Sequence, residues 1–300
     1  MAGRDAIFRA RYFYLERAVR LTWRQGTLCR FGWISKSMKK VIVCFALFLF
    51  ANTAWASPES YCGRNLPFGA PSVSNPTSEV CHEGYAAAVD DNALIPRWVA
   101  YRLTGEHSIG CNHRDDDFHA EEQLSGKPRQ EPDDYKASGY DRGHQAPAQD
   151  FAWSSKEMSD SFSMANMAPQ VSGLNRDGWE YLEETVRAWA FARGELIIYV
   201  GPVVAPNALV IGRDRISVPQ AFWKVVIDPH QHKALAFLMP QANVPKGNLK
   251  HWQTTIADVE RASGVSLRLP AWVEVNAMPS LWQSSIAGWR KEKQRECGVH

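Results

Sequence analysis

The sequence predicts an α+β fold with a mostly antiparallel sheet flanked by helices, and three observations predict it. From Asn175 towards Phe191, Trp179, Leu182, Val186 and Trp189 recur at three- and four-residue steps, which makes one apolar helical stripe. Short apolar runs, among them Leu196–Val200, have the length and composition of strands. Two of them, Phe222–Ile227 and Ala234–Leu238, flank Asp228-Pro229-His230-Gln231-His232 and read as a hairpin. The 300 residues are 45% hydrophobic and 22% charged, which excludes a disordered or fibrous chain. No internal repeat or long linker interrupts residues 57–300, so they read as one domain.

The N-terminus changes every later count. Met38-Lys39-Lys40, the apolar run Val41–Ala51 and Ala54-Trp55-Ala56 make the pattern of a secretory signal peptide over 38–56, with cleavage after Ala56. The run is too short for a spanning helix, which takes roughly 18 residues or more. The expected product is exported to the periplasm or the extracellular space, without stable membrane association. Residues 1–37 carry seven arginines against Asp5 and Glu16. They read as a transit-like or nucleic-acid-binding arm or, the preferred reading, as an over-long extension ahead of a start at Met38. Residues 1–56 hold 10 of the 34 Lys+Arg and 2 of the 32 Asp+Glu. The remainder therefore has 24 against 30, a formal −6, and any phosphate-binding surface must be a local cluster.

Within 57–300 lie Cys62, Cys81, Cys111 and Cys297, an even number that suits two disulfides in an oxidising compartment. Three pairings are possible. Cys62 and Cys81 flank a Pro/Ser/Asn-rich loop, which favours Cys62–Cys81 with Cys111–Cys297. Residues 57–92 are rich in Pro, Gly and Ser and read as an irregular arm. Trp98–Leu103 has strand composition, 104–138 reads mostly as loop, and Tyr140–Gln145 as a short strand entering a turn. Ser154–Ser161 reads as a short helix capped by Ser154 or Ser155. The long helix ends before Gly194, and helical patterns return at Thr254–Ala262 and the C-terminus.

Asp141-Arg142-Gly143-His144 carries the chemistry. Histidine takes a proton from water near neutral pH, arginine offers a planar fork to phosphate, and Asp141 can orient a neighbour or hold a turn. Alone, the tetrapeptide also fits a surface turn with incidental charges. A second segment runs from Asn166-Met167-Ala168-Pro169-Gln170 to Asn175, Glu183 and Arg187. At about 100° per residue, the last three share one side of a helix beside its apolar stripe, with Glu183 and Arg187 as an i,i+4 pair. A solvated face with an ordinary salt bridge has the same spacing.

Together these segments resemble the DNA/RNA non-specific endonuclease family, which includes endonuclease G-like enzymes. The resemblance rests on Ser138-Gly139-Tyr140-Asp141-Arg142-Gly143-His144, on Asn166–Gln170, and on Leu174-Asn175 with Trp179-Glu180-Tyr181-Leu182-Glu183. Tyr199-Val200-Gly201-Pro202 and Pro219-Gln220-Ala221-Phe222-Trp223-Lys224-Val225 look like the family's later strands. It implies a ββα-metal core and an endonuclease that hydrolyses DNA and RNA to 5′-phosphate products. His144 would be the general base and Asn175 the direct ligand of Mg²⁺, with Mn²⁺ as an alternative. Glu183 would position metal-bound waters, Arg142 and Arg187 would face the phosphate, and Asp141 would fix the geometry. Asn166 would support the site, and it and Arg114 fall on the substrate-binding side, although Arg114 precedes an unusually acidic Asp115-Asp116-Asp117.

Other readings remain. His107, Cys111, His113 and His119 have zinc-ligand chemistry, but their spacing matches no common structural zinc pattern. A nucleic-acid-binding protein without catalysis, or a hydrolase of another phosphodiester, would share the same segments.

Overall fold

The computed structural model describes residues 61–298, so the extension 1–37 and the signal segment 38–56 lie outside the described residues. A short helix α1 (Tyr61–Asn65) leads into strands β1 (Thr77–Cys81), β2 (Tyr85–Asp90) and β3 (Pro96–Thr104). A turn-rich stretch follows to β4 (Asp141–His144), α2 (Ser155–Ser161) and β5 (Met167–Gln170). Then come α3 (Trp179–Arg193), β6 (Glu195–Val203), and the short β7 (Val210–Ile211) and β8 (Ile216–Ser217). The chain closes with β9 (Ala221–Asp228), β10 (Lys233–Pro240), α4 (Leu249–Trp252), β11 (Gln253–Thr254), α5 (Ile256–Ser263) and α6 (Ile286–Cys297).

Seven strands form one sheet in the order β1-β2-β3-β6-β9-β10-β11, every neighbouring pair antiparallel. The period of two along each strand sorts side chains between two cores. Val99, Tyr101, Ile198, Val200, Phe222, Val226 and Phe237 point to the face that carries α3. Trp98, Ala100, Ile197, Tyr199, Trp223, Val225 and Ile227 point to the other, where α5 and residues near 265–275 cover them. The sheet is therefore buried on both faces.

Two strands differ from the expectation of an irregular arm before residue 92. β2 reads Tyr-Ala-Ala-Ala-Val-Asp and is buried at every position, so it has neither the alternation nor the β-branched content that marks a half-exposed strand. Tertiary packing between β1 and β3 makes it a strand. The long helix begins later than its apolar stripe implies. Residues Leu174–Gly178 form a π-turn, and regular α-helix starts at Trp179. Gly194 ends it with φ 91°, a conformation in which a side chain is strained.

Both disulfides have the expected pairing, Cys62–Cys81 and Cys111–Cys297. The second ties α6 to the turn after β3 across 186 residues of sequence. No helix of the described residues is long and apolar enough to cross a membrane. Replacing Cys111 and Cys297 together with serine should lower unfolding free energy by about 2–4 kcal/mol, because the open loop regains chain entropy. Denaturant titration checks this, and an unchanged midpoint would mean that the cross-link constrains nothing the fold lacks.

Candidate active site

β4 and β5 pair as a separate two-stranded ribbon, with His144 opposite Met167 and Asp141 opposite Gln170. Gly143 is required there: a Cβ would stand 2.3 Å from Gln170 Oε1 and 2.7 Å from Gln170 Cβ. The ribbon lies against the π-turn and α3, whose Trp179, Leu182, Val186 and Trp189 are buried on the sheet. Two strands and a helix thus enclose a cleft of about 410 Å³ lined by Arg114, Asp141, Arg142, His144, Asn175 and Glu183, among others.

Alternation along β4 puts Arg142 and His144 on one face of the ribbon. The His144 ring stands edge-on to Phe162, with centroids 4.9 Å apart, and tilted against Phe118 at 5.7 Å. Its Nε2 is buried without a hydrogen-bond partner. Burial first, and the positive charge of Arg114 second, push the His144 pKa down to about 3, so the ring is neutral at neutral pH. The Arg142 guanidinium lies 4.6 Å over the Phe118 ring and has no carboxylate among the described residues within 4.0 Å. Its one hydrogen bond is a long one, Nη2 to the Pro132 carbonyl at 3.4 Å. That leaves a fixed, largely unmatched cation beside the imidazole.

Across the cleft, Asn175 Nδ2 donates to Asp141 Oδ2 at 3.0 Å. Arg176 grips the same carboxylate through Nε at 2.8 Å and Nη2 at 2.6 Å. Although burial opposes it, these donors hold the Asp141 pKa below the usual carboxylate range. Because the Asn175 amide nitrogen is committed to Asp141, its Oδ1 is left for another partner. A lone amide oxygen with the Asp141 and Glu183 carboxylates at the same cleft suits a hard cation that keeps most of its water. No group of three His, Cys, Asp or Glu among the described residues is placed to hold a metal. The zinc reading fails on geometry. Cys111 is in a disulfide, His107 stacks on Trp153 at 4.0 Å, and His119 Nδ1 bonds the Asp117 carbonyl oxygen.

Two sequence-derived expectations change. Glu183 and Arg187 face the cleft side of α3, but their recorded ion pairs are not with each other. Arg187 Nη1 donates to buried Asp150 at 2.8 Å, and Tyr101 donates to the other oxygen of Asp150 at 2.9 Å. Arg187 still lines the cleft, as a guanidinium already anchored from behind. Asn166, expected to bind substrate, does not reach it. Fully buried, it accepts from the Ala146 amide and donates to the carbonyls of Ala146 and Ser161. Both ends of its amide are used to hold the chain leaving His144. Arg114 does line the cleft, bonded to Asp116 at 2.7 Å and 4.9 Å over Phe162.

Lys224 is the residue that motif reading misses. It lies on the α3-facing side of β9, between Phe222 and Val226 and opposite Val200 and Phe237. Its Nζ is fully buried without a hydrogen bond, 4.0 Å from Glu183 Oε1 and 4.9 Å over the Trp179 ring. Burial lowers the Lys224 pKa and pushes the Glu183 carboxyl up to about 7, against the pull of the Lys224 charge. A lysine inside the run Phe222–Ile227 was the available signal.

A histidine-bearing ribbon beside a helix that offers amide and carboxylate oxygens is the ββα arrangement of metal-dependent nucleases. The chain belongs to the DNA/RNA non-specific endonuclease family, whose pattern it matches over residues 65–271. It is 32% identical to mitochondrial endonuclease G of Bos taurus over 218 residues, which cover 68% of this chain and 72% of that one. Human mitochondrial endonuclease G is 31% identical with the same coverage. The crystal structure "Crystal structure of the EndoG/EndoGI complex: Mechanism of EndoG inhibition" superposes with a TM-score of 0.64 at 29% identity, covering 71% of this chain and 93% of that one. The mitochondrial names of these relatives overturn the expectation of an exported, periplasmic or extracellular protein. A short apolar run behind basic residues does not by itself distinguish secretion from other targeting.

Lys224→Met should test whether the buried ammonium serves the site or only the fold. The change removes the buried cation that faces Glu183, so the thermal midpoint should fall, and fall least at pH values where Glu183 holds a proton. Lys224 lowers the Glu183 pKa, so its loss should raise that pKa and move the acid limb of nuclease kcat/KM to higher pH. An unmoved limb with unchanged turnover would mean that Lys224 merely fills space.

Proposed function

We propose that the protein is a metal-dependent endonuclease that hydrolyses phosphodiester bonds of DNA and RNA with little base preference, with His144 as general base. The convergence of His144 and Arg142 from β4 with Asn175 and Glu183 from the helical wall on one cleft carries this reading. Asn175 Oδ1 would hold Mg²⁺, with Mn²⁺ as an alternative, and Glu183 would orient water around it. When bound, the ion supplies Lewis-acid stabilisation of charge on the phosphate oxygens.

The chain's own residues account for the remaining steps. Neutral His144 takes a proton from the attacking water as the new oxygen–phosphorus bond forms. A base held far below its ordinary pKa is poor at keeping that proton, so it needs help from its surroundings. Substrate phosphate beside Arg114 and Arg142 brings negative charge to the ring and favours the protonated form as the reaction proceeds. Arg142, without a carboxylate partner, stabilises charge on the five-coordinate phosphorus, and Arg187 supports it from its anchor on Asp150. The phosphorus–O3′ bond then breaks. The oxygen from water stays on a 5′-phosphate, the 3′ oxygen takes a proton from solvent water and leaves as a hydroxyl, and His144 returns its own proton to solvent. Every contact so described is to phosphate, which carries no sequence information.

Plasmid and RNA cleavage with Mg²⁺, and its loss in EDTA, is the first test. His144→Ala should keep Mg²⁺ binding while its rate falls by roughly 10²–10⁴. Asn175→Ala should weaken Mg²⁺ binding itself, measured by titration calorimetry. Near-normal cleavage by His144→Ala would place the base elsewhere.

A further inference from the structure

A second cleft, of about 330 Å³, opens beside the first and shares two of its walls, Arg114 and Gln149. α6 forms its far side, beyond residue 271 where the family match ends, and both cysteines of the Cys111–Cys297 disulfide line it. Arg290, Lys293, Gln294 and Cys297 of α6 line it. These are spaced i, i+3, i+4 and i+7, one stripe of a helix. Taking Arg290 as zero, the stripe spans about 300° to 40°, whereas Glu292 and Glu296 fall near 200° and 240° at 100° per residue. Both carboxylates are bound there by Arg295. No carboxylate lines the cleft, and His113 adds a further basic side chain opposite the helix.

Lys293 is the sharpest feature. It is half-buried, its Nζ donates to Gln149 Oε1 at 3.0 Å, and no carboxylate among the described residues lies within 4.0 Å of it. Gln149 is one of the two walls common to both clefts, so this ammonium stands at their junction. Burial and the nearby Arg187 charge lower the Lys293 pKa, against the weaker pull of Asp150. Arg290 is paired with Glu184 at a half-exposed site, where such a pair is weak and exchangeable.

We propose that this groove is a second phosphate subsite, in which Lys293 and Arg290 hold the polynucleotide backbone next to the scissile bond. The subsite rests on the nuclease reading of the first cleft. Acidic residues outnumber basic ones over residues 57–300, so a polynucleotide gains affinity there from a local stripe of this kind, and each phosphate held adds to the salt dependence of binding.

The test measures binding of a fluorescent single-stranded 12-mer by anisotropy in EDTA, and cleavage of the same strand in Mg²⁺. Arg290→Gln/Lys293→Gln in the full chain should raise Kd about five- to twentyfold and lower the log–log salt slope by about one, at roughly 0.7 per phosphate contact. Lys291→Gln/Arg295→Gln, on the opposite side of the same helix, should leave both values at wild type. Lys293→Arg should restore most of the binding lost by Lys293→Gln, which a folding defect would not do. Wild-type Kd and slope in the groove variant, or equal losses in both double variants, would overturn the subsite. Normal groove-dependent binding without cleavage would instead sink the nuclease reading, so the two failures are distinguishable.

Discussion

The docking of α3 on the buried face of the sheet is the constraint on which the site depends. Trp179, Leu182, Val186 and Trp189 are each at most 1% exposed, and together they fix both the height and the rotation of the helix. With rotation fixed, Glu183 meets Lys224 from the sheet and Arg187 meets Asp150 from the turn after β4. Taking such groups out of water is costly, and it is tolerable only because each finds an opposite charge or a hydrogen bond. Tyr101 completes the arrangement by donating to Asp150 from a strand two places away from β9. A shift of the helix would therefore unpair several buried groups at once.

How far the sequence was legible follows from the range of each interaction. α3, β6, β9 and β10 announce themselves through local periodicity, and the hairpin through its turn residues. β2 does not, because its run of alanines becomes strand only when neighbours cover both faces. In the site, Asp141 to His144 stand together in sequence and could be read as a unit. Lys224 and Asp150 join their partners across 41 and 37 residues, and such contacts exist only once sheet register and helix rotation are set. The π-turn adds a second reason: it alters the angle per residue between Asn175 and α3, so a wheel drawn at constant pitch misplaces the asparagine relative to Glu183. Asn166 was conspicuous as part of a motif, yet its hydrogen bonds assign it to holding backbone.

Charge is segregated rather than abundant. Acidic residues outnumber basic ones over 57–300, but carboxylates near the cleft are mostly engaged: Asp141 by Arg176, Asp116 by Arg114, Asp150 by Arg187. What stays unmatched is Arg142 on the ribbon and Lys293 on α6. A polyanion approaching residues 57–300 meets an acidic surround with a narrow attractive channel, which favours orientation of the encounter over indiscriminate capture.

The Cys111–Cys297 bond also has a mechanical meaning. It closes a covalent ring that contains β4, β5, α3 and the whole cleft, while β1, β2 and β3 lie outside it. Tension applied to the chain beyond Cys297 passes directly to Cys111 and on into β3. The 186-residue separation enclosed by the ring contributes nothing to extension, roughly 600 Å of contour hidden from the load at 3.3–3.6 Å per residue. A machine that unfolds the protein by pulling on that end would dismantle the outer strands first and stall with the catalytic ring intact. Reduction of a single bond is what would let it proceed.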